Sequence, residues 1–150
     1  MVNPEPELYG LINKAGGLTF LVVDDYGTFR NILRQMVESH SHWSVVAEAP
    51  NGLEAVQLAL MYHPNVVLMD VVMPMMNGIE AAKRIKQNLL DVCVIMFSAH
   101  HEEEFQHRSL QAGADYFILK EEMNETSLER FIRARYATPP PNVNGSALGG

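Results

Sequence analysis

What most constrains this chain is a rhythm: short apolar runs alternate with amphipathic segments from residue 18 to residue 136. LTFLVVDD (18–25), NVVLMD (65–70), VCVIMFSA (92–99) and ADYFILK (114–120) are apolar, β-branched or aromatic, and too short for helices. WSVVAEA (43–49) reads as a half-buried strand. Between them lie TFRNILRQMVES (28–39), PNGLEAVQLALMYH (50–63), NGIEAAKRIKQNL (77–89), the stretch from His101 to Ala112, and NETSLERFIRARY (124–136). Phe29, Ile32, Leu33, Met36 and Val37 fall at helical spacing in the first of these, and Leu53, Val56 and Leu60 in the second. The last opens on an N-cap signature, Asn124 or Thr126 followed by Glu129. Continuously apolar strands in strict alternation with helices predict an α/β fold, a doubly wound five-stranded parallel sheet, (βα)5, covered on both faces. Right-handed crossovers then place any ligand outside the carboxyl ends of the strands.

Composition sets the bounds. A chain of 150 residues suits one domain, and no apolar stretch approaches the ~20 residues that span a bilayer. Residues 1–17 lack the basic start and apolar run of a secretory signal and read as an N-terminal extension, in which LYGLI would suit a short docking turn. Residues 137–150, ATPPPNVNGSALGG, have little to bury and read as a disordered tail or linker. With one cysteine, Cys93, no internal disulfide forms, which suits a reducing cytoplasm. A net charge of −7 without a run of Lys and Arg argues against direct nucleic-acid binding.

Polar residues then mark the rim. Strand one ends in Asp24 and Asp25, strand three in Asp70, strand four in Ser98 and strand five in Lys120; Glu48, at the end of strand two, receives no role. Three carboxylates gathered in one place repel and raise each other's pKa unless a cation lies between them, and hard oxygen ligands suit Mg²⁺. A lysine and a hydroxyl beside the metal make an environment for phosphate oxygens. There is no GxxxxGK[ST], no GxGxxG and no GxSxG, so nucleotide binding and acyl transfer by a serine are disfavoured. The remaining nucleophile is a carboxylate able to accept a phosphoryl group, and Asp70, alone at the end of the central strand, is best placed. Asp24 and Asp25 would hold the Mg²⁺, Lys120 would pair with phosphoryl oxygens, and Ser98 would hydrogen-bond one of them.

VVDD (22–25), DVVMPMMNG (70–78), FSA (97–99) and GADYFILK (113–120) together resemble the signature of the receiver domains of two-component response regulators, over about residues 18–136. The resemblance implies strand order 2-1-3-4-5 and a phosphoryl donor that is a histidine kinase or a histidine phosphotransfer protein. It adds the backbone carbonyl of Val72 as a metal ligand, and it makes Ser98 and Phe117 a switch, with Tyr116 on the opposite side of the strand. Phe117 has no hydroxyl, so its part would be packing alone. The implied output is altered affinity at the face of helix four, strand five and helix five, where a homodimer would also form. The domain would catalyse only its own phosphoryl transfer and autodephosphorylation. Glu121 stands where many relatives have proline, so the cis peptide common there is not expected by default. The downstream partner would be an effector protein, or an output domain beyond residue 136 that this chain lacks.

Other residues read more plainly. Met69, Met73, Met75 and Met76 suit gap-filling in the core and loop. The pairs His40/His42 and His100/His101 lack the cysteine pair or HExxH that a zinc site would bring. His100, two residues after Ser98, is placed to affect water access to a phosphoryl group. Trp43 reads as packing at the start of an edge strand. A phosphohydrolase of the haloacid dehalogenase type would want an acid two residues after Asp70, where Val72 stands. A receiver used as a constitutive interaction module would not require the complete acid, hydroxyl and lysine set.

Overall fold

The structure is a computed structural model and describes residues 17–136. The expected tail (137–150) and, apart from Gly17, the expected extension (1–17) lie outside the described residues. Leu18–Val23 (β1), Trp43–Ala49 (β2), Val66–Asp70 (β3), Cys93–Ser98 (β4) and Tyr116–Leu119 (β5) form one sheet in the order β2-β1-β3-β4-β5, every pair parallel. Gly27–Glu38 (α1), Gly52–Tyr62 (α2), Gly78–Asn88 (α3), Glu103–Gln111 (α4) and Glu125–Tyr136 (α5) alternate with the strands. This is the expected (βα)5 arrangement.

Strand alternation divides the core. Phe20, Val22, Leu68, Ile95 and Phe97 point to one face, where Leu33 and Val37 of α1 and Leu128 and Ile132 of α5 cover them. Leu21, Val23, Val67, Met69, Val94 and Met96 point to the other, against Ala55 and Ala59 of α2 and Ala81, Ala82 and Ile85 of α3. Alanines at these positions let α2 and α3 approach the sheet closely. Ile132 is fully buried, and its replacement by alanine is expected to cost about 3 kcal/mol. The check is a urea midpoint that falls while the slope stays unchanged.

Local chemistry sets the helix starts. Asn51 Oδ1 accepts the Glu54 N–H at 2.8 Å and Asn77 Oδ1 the Glu80 N–H at 2.9 Å, capping α2 and α3. For α5 the choice falls on Asn124. Its Oδ1 accepts the Ser127 N–H and Ser127 Oγ accepts the Asn124 N–H, both at 2.9 Å, a reciprocal box that does not use Glu129. The segment from His101 to Ala112 becomes helical only over Glu103–Gln111. No cis peptide occurs among the described residues, so the Lys120–Glu121 bond is trans.

Register positions the site. Val23 lies beside Met69, Asp70 beside Phe97, and Ser98 beside Leu119. The residues that end or follow these strands therefore emerge together on one rim.

Candidate functional site

The rim gathers the residues expected there. Asp24 is fully buried, Asp70 and Ser98 are buried, and Asp25 is exposed. Asp24, Asp25 and Asp70 each direct a carboxylate oxygen to a point where the three lie within 4.8 Å of one another. Lys120 does not extend β5; it opens a 3₁₀ turn, Lys120–Glu122, that carries the ammonium back over the sheet end. Its Nζ stands 2.8 Å from Asp24 Oδ2 and 3.7 Å from Asp70 Oδ2, and lies 4.5 Å above the Phe29 ring. The aromatic face favours a cation held there.

Each acid is fixed differently. Asp24 N–H donates to Ala49 O at 3.1 Å, and its Oδ1 accepts the Tyr26 N–H at 2.8 Å. Its Oδ2 sits beside the ammonium but accepts no aligned hydrogen bond. That buried oxygen therefore has a lone pair to give. Asp70 Oδ1 accepts only a long bond, 3.4 Å, from Val72 N–H. Burial first, and then Asp24, push the Asp70 carboxyl up to about 6, against the opposing pull of Lys120 and the Val72 N–H. A buried Asp24 oxygen with no aligned hydrogen-bond donor stands beside an Asp70 carboxyl raised first by burial and then by Asp24, and a divalent cation between them would ease both. Three carboxylates are a hard-oxygen donor set of the kind Mg²⁺ takes. The residues present fit a divalent cation.

The loop after β3 brings the backbone to the same place. Val71 N–H donates to Phe97 O at 2.9 Å and Gly78 N–H to Val71 O at 2.8 Å, so the chain folds back at the strand end. Met75 takes φ 70° inside a tight turn in which Met76 N–H donates to Pro74 O at 2.7 Å. Met75 is thereby turned outward and is 75% exposed, so the expectation that it fills core or loop packing fails; Met69 and Met73 are buried as expected.

Ser98 is buried, and its Oγ accepts the His100 N–H at 3.0 Å. Phe117 faces the α2–α4 side of the sheet, while Tyr116 faces the other side and stacks on Phe131 at 4.7 Å. The His100 ring is exposed and meets the edge of Phe105. Neither histidine pair gathers a third ligand: among the described residues the acidic trio is the one cluster with metal-binding geometry. His40 instead stacks on Trp43 at 3.7 Å.

Sequence reasoning missed a second tier. Arg30 Nη1 donates to the Asp24 carbonyl at 2.6 Å, and its Nε donates to Glu48 Oε1 at 3.2 Å. Glu48 Oε2 also accepts from Arg34 Nε at 2.6 Å. The signal was two arginines one helical turn apart on α1, together with an acid at the end of the neighbouring strand.

Residues 20–132 match the family described as the response regulator receiver domain. The chemotaxis protein CheY of Halobacterium salinarum is 40% identical over 100 residues, 67% of this chain and 82% of that protein. The transcriptional regulatory protein DegU of Brevibacillus brevis is 35% identical over 104 residues, 69% of this chain and 44% of that protein. This chain spans about half the length of the transcriptional regulators it matches. Among solved structures, a chain of the CheX–CheY–BeF3–Mg²⁺ complex of Borrelia burgdorferi superposes with a TM-score of 0.75 at 26% identity, covering 85% of this chain and 96% of that one. No described helix is long and apolar enough to cross a membrane.

Proposed function

This chain belongs to the response regulator receiver domain family of two-component signalling, and from that premise we propose that Asp70 is its phosphoacceptor. The observation that carries the reading is the meeting of three carboxylates within 4.8 Å beside the Lys120 ammonium. A signalling protein built on interaction alone has no need of that costly grouping.

The donor is a phosphohistidine of a partner histidine kinase or histidine phosphotransfer protein. An Asp70 oxygen attacks phosphorus, forming an O–P bond as the N–P bond breaks. The electron pair stays on the donor imidazole nitrogen, which takes up a proton. Lys120, held between Asp24 and Asp70, pairs with a phosphoryl oxygen. Ser98 accepts from the His100 N–H and keeps its own proton to donate to another oxygen. Asp24, Asp25 and Asp70 with the Val72 carbonyl would hold Mg²⁺, which when bound neutralises charge on the transferring group. The relative described with BeF3 and Mg²⁺ supports that choice of ligand.

Movement of Ser98 toward the phosphoryl group and repacking of Phe117 then shift the population between two packings of the α4–β5–α5 face. That face is read by an effector protein, by an output domain or by a second copy of the chain, in the cytoplasm. Residues 18–136 are the receiver unit. His100, beside Ser98, sets water access and with it the lifetime of the phosphoryl group.

The test is incorporation of label from a small phosphodonor with Mg²⁺. The native chain is expected to take up one phosphoryl group, with chelator or Asp70→Asn reducing uptake to background. Label retained on Asp70→Asn would show that another residue is the acceptor.

A further inference from the structure

The two acids that lead into α1 are not equally anchored. Asp24 is held at its N–H, its carbonyl and Oδ1. Asp25 is exposed, and no hydrogen bond or ion pair fixes its carboxylate. A single peptide plane joins Asp25 to the anchored Asp24. The carbonyl of that plane accepts from the Arg30 guanidinium at 2.6 Å. Arg30 is itself held by Glu48 at 3.2 Å, and Glu48 is braced by Arg34 at 2.6 Å. Arg30 and Glu48 side chains are 23% and 28% exposed, so this network is partly shielded from water.

We infer that Arg30, held by Glu48 at the end of β2, is a positioning residue for divalent-cation binding, fixing the Asp24–Asp25 peptide so that Asp25 completes the acidic cluster. The inference rests on the reading of that cluster as a cation site. It also gives Glu48 a task. Holding a guanidinium next to three acids is electrostatically adverse to binding a further cation, so the arrangement makes sense through geometry rather than charge. That difference fixes the sign of the test.

The experiment is calorimetric titration of the full chain with Mg²⁺ alone, alongside thermal unfolding in chelator. Arg30→Met is expected to weaken Mg²⁺ about tenfold, the scale on which residues orienting metal ligands act. Glu48→Gln is expected to weaken it less, and Arg30→Lys, which keeps the charge and loses the fork, to fall between native chain and Arg30→Met. A role confined to stability lowers the unfolding temperature and leaves Mg²⁺ affinity unchanged; a role through charge alone raises affinity in Arg30→Met. Either result overturns the inference. Should Arg30→Met fail to fold, Arg30→Lys decides, because it keeps the charge and loses the fork: weakened Mg²⁺ binding sustains the inference and unchanged binding overturns it. A native chain that binds no Mg²⁺ would instead overturn the reading of the acidic cluster.

Discussion

Gly78→Ala is expected to destabilise the protein by at least about 3 kcal/mol, a large part of the roughly 5–15 kcal/mol that holds a domain of this size together. Gly78 is the first residue of α3, and its N–H donates to Val71 O at 2.8 Å. A Cβ there would collide with the carbonyl oxygen of Asp70 and sit 2.9 Å from the Met96 methyl. The methionine could move, but the carbonyl cannot. Asp70 is buried at the end of β3 in register with Phe97. Relief therefore means pulling α3 from the sheet or Asp70 from the rim. Gly27→Ala is the control, since a Cβ at Gly27 meets only Arg30 Nη2 at 3.5 Å. Its effect is expected to stay within about 1 kcal/mol, as for a glycine-to-alanine change in an open helix position. Urea unfolding of both variants checks this. Equal losses would mean that the close approach of α3 to Asp70 is not what makes Gly78 necessary.

The second large effect has the opposite sign. Asp70→Asn is expected to stabilise the protein in chelator at pH 8 by about 3 kcal/mol, from about 1.4 kcal/mol per unit of pKa displacement. The Asp70 carboxyl is raised from 3.8 to about 6 by burial and by Asp24. Below pH 3.8 it is protonated in both the folded and the unfolded chain, and the folded state carries no penalty. Between pH 3.8 and about 6 the folded chain keeps a proton that the unfolded chain has lost, so stability falls as pH rises. Above about 6 the full penalty remains. The gain from Asp70→Asn should therefore be near zero at pH 3.5, grow through that window and level off. Melting curves across pH should separate by about 10 °C at the plateau. Added Mg²⁺ should raise the native chain toward the variant, because a ligand of the folded state stabilises it by mass action. A gap independent of pH would show that the carboxylate's charge is not its cause.

Much of the fold was legible because its signals are local. The apolar runs became β1 to β5 and the amphipathic segments α1 to α5, since period and length separate buried parallel strands from helices. Asp24, Asp25, Asp70, Ser98 and Lys120 could be picked out together because each ends or follows a strand, and a parallel sheet delivers all such positions to one edge. Where signals competed locally, the chain left a choice. Asn124 and Thr126 both offered a cap, and contact with Ser127 decided it. Met75 looked like packing material, but hydrophobicity cannot report a positive φ, and the tight turn after Pro74 sends it to solvent.

By itself, the sequence determined the class of fold, the rim on which the acids, the hydroxyl and the lysine gather and the residue types that gather there, because spacing along a chain dictates which groups leave the sheet at the same level. Only the tertiary structure decided how those groups are held. It placed Lys120 on a 3₁₀ turn between two acids, left Asp24 Oδ2 without an aligned donor, and joined Glu48 through Arg30 to the Asp24 carbonyl. Those arrangements depend on side chains 18 to 96 positions apart meeting with ångström precision. No local pattern encodes that distance; the packing of helix on sheet does.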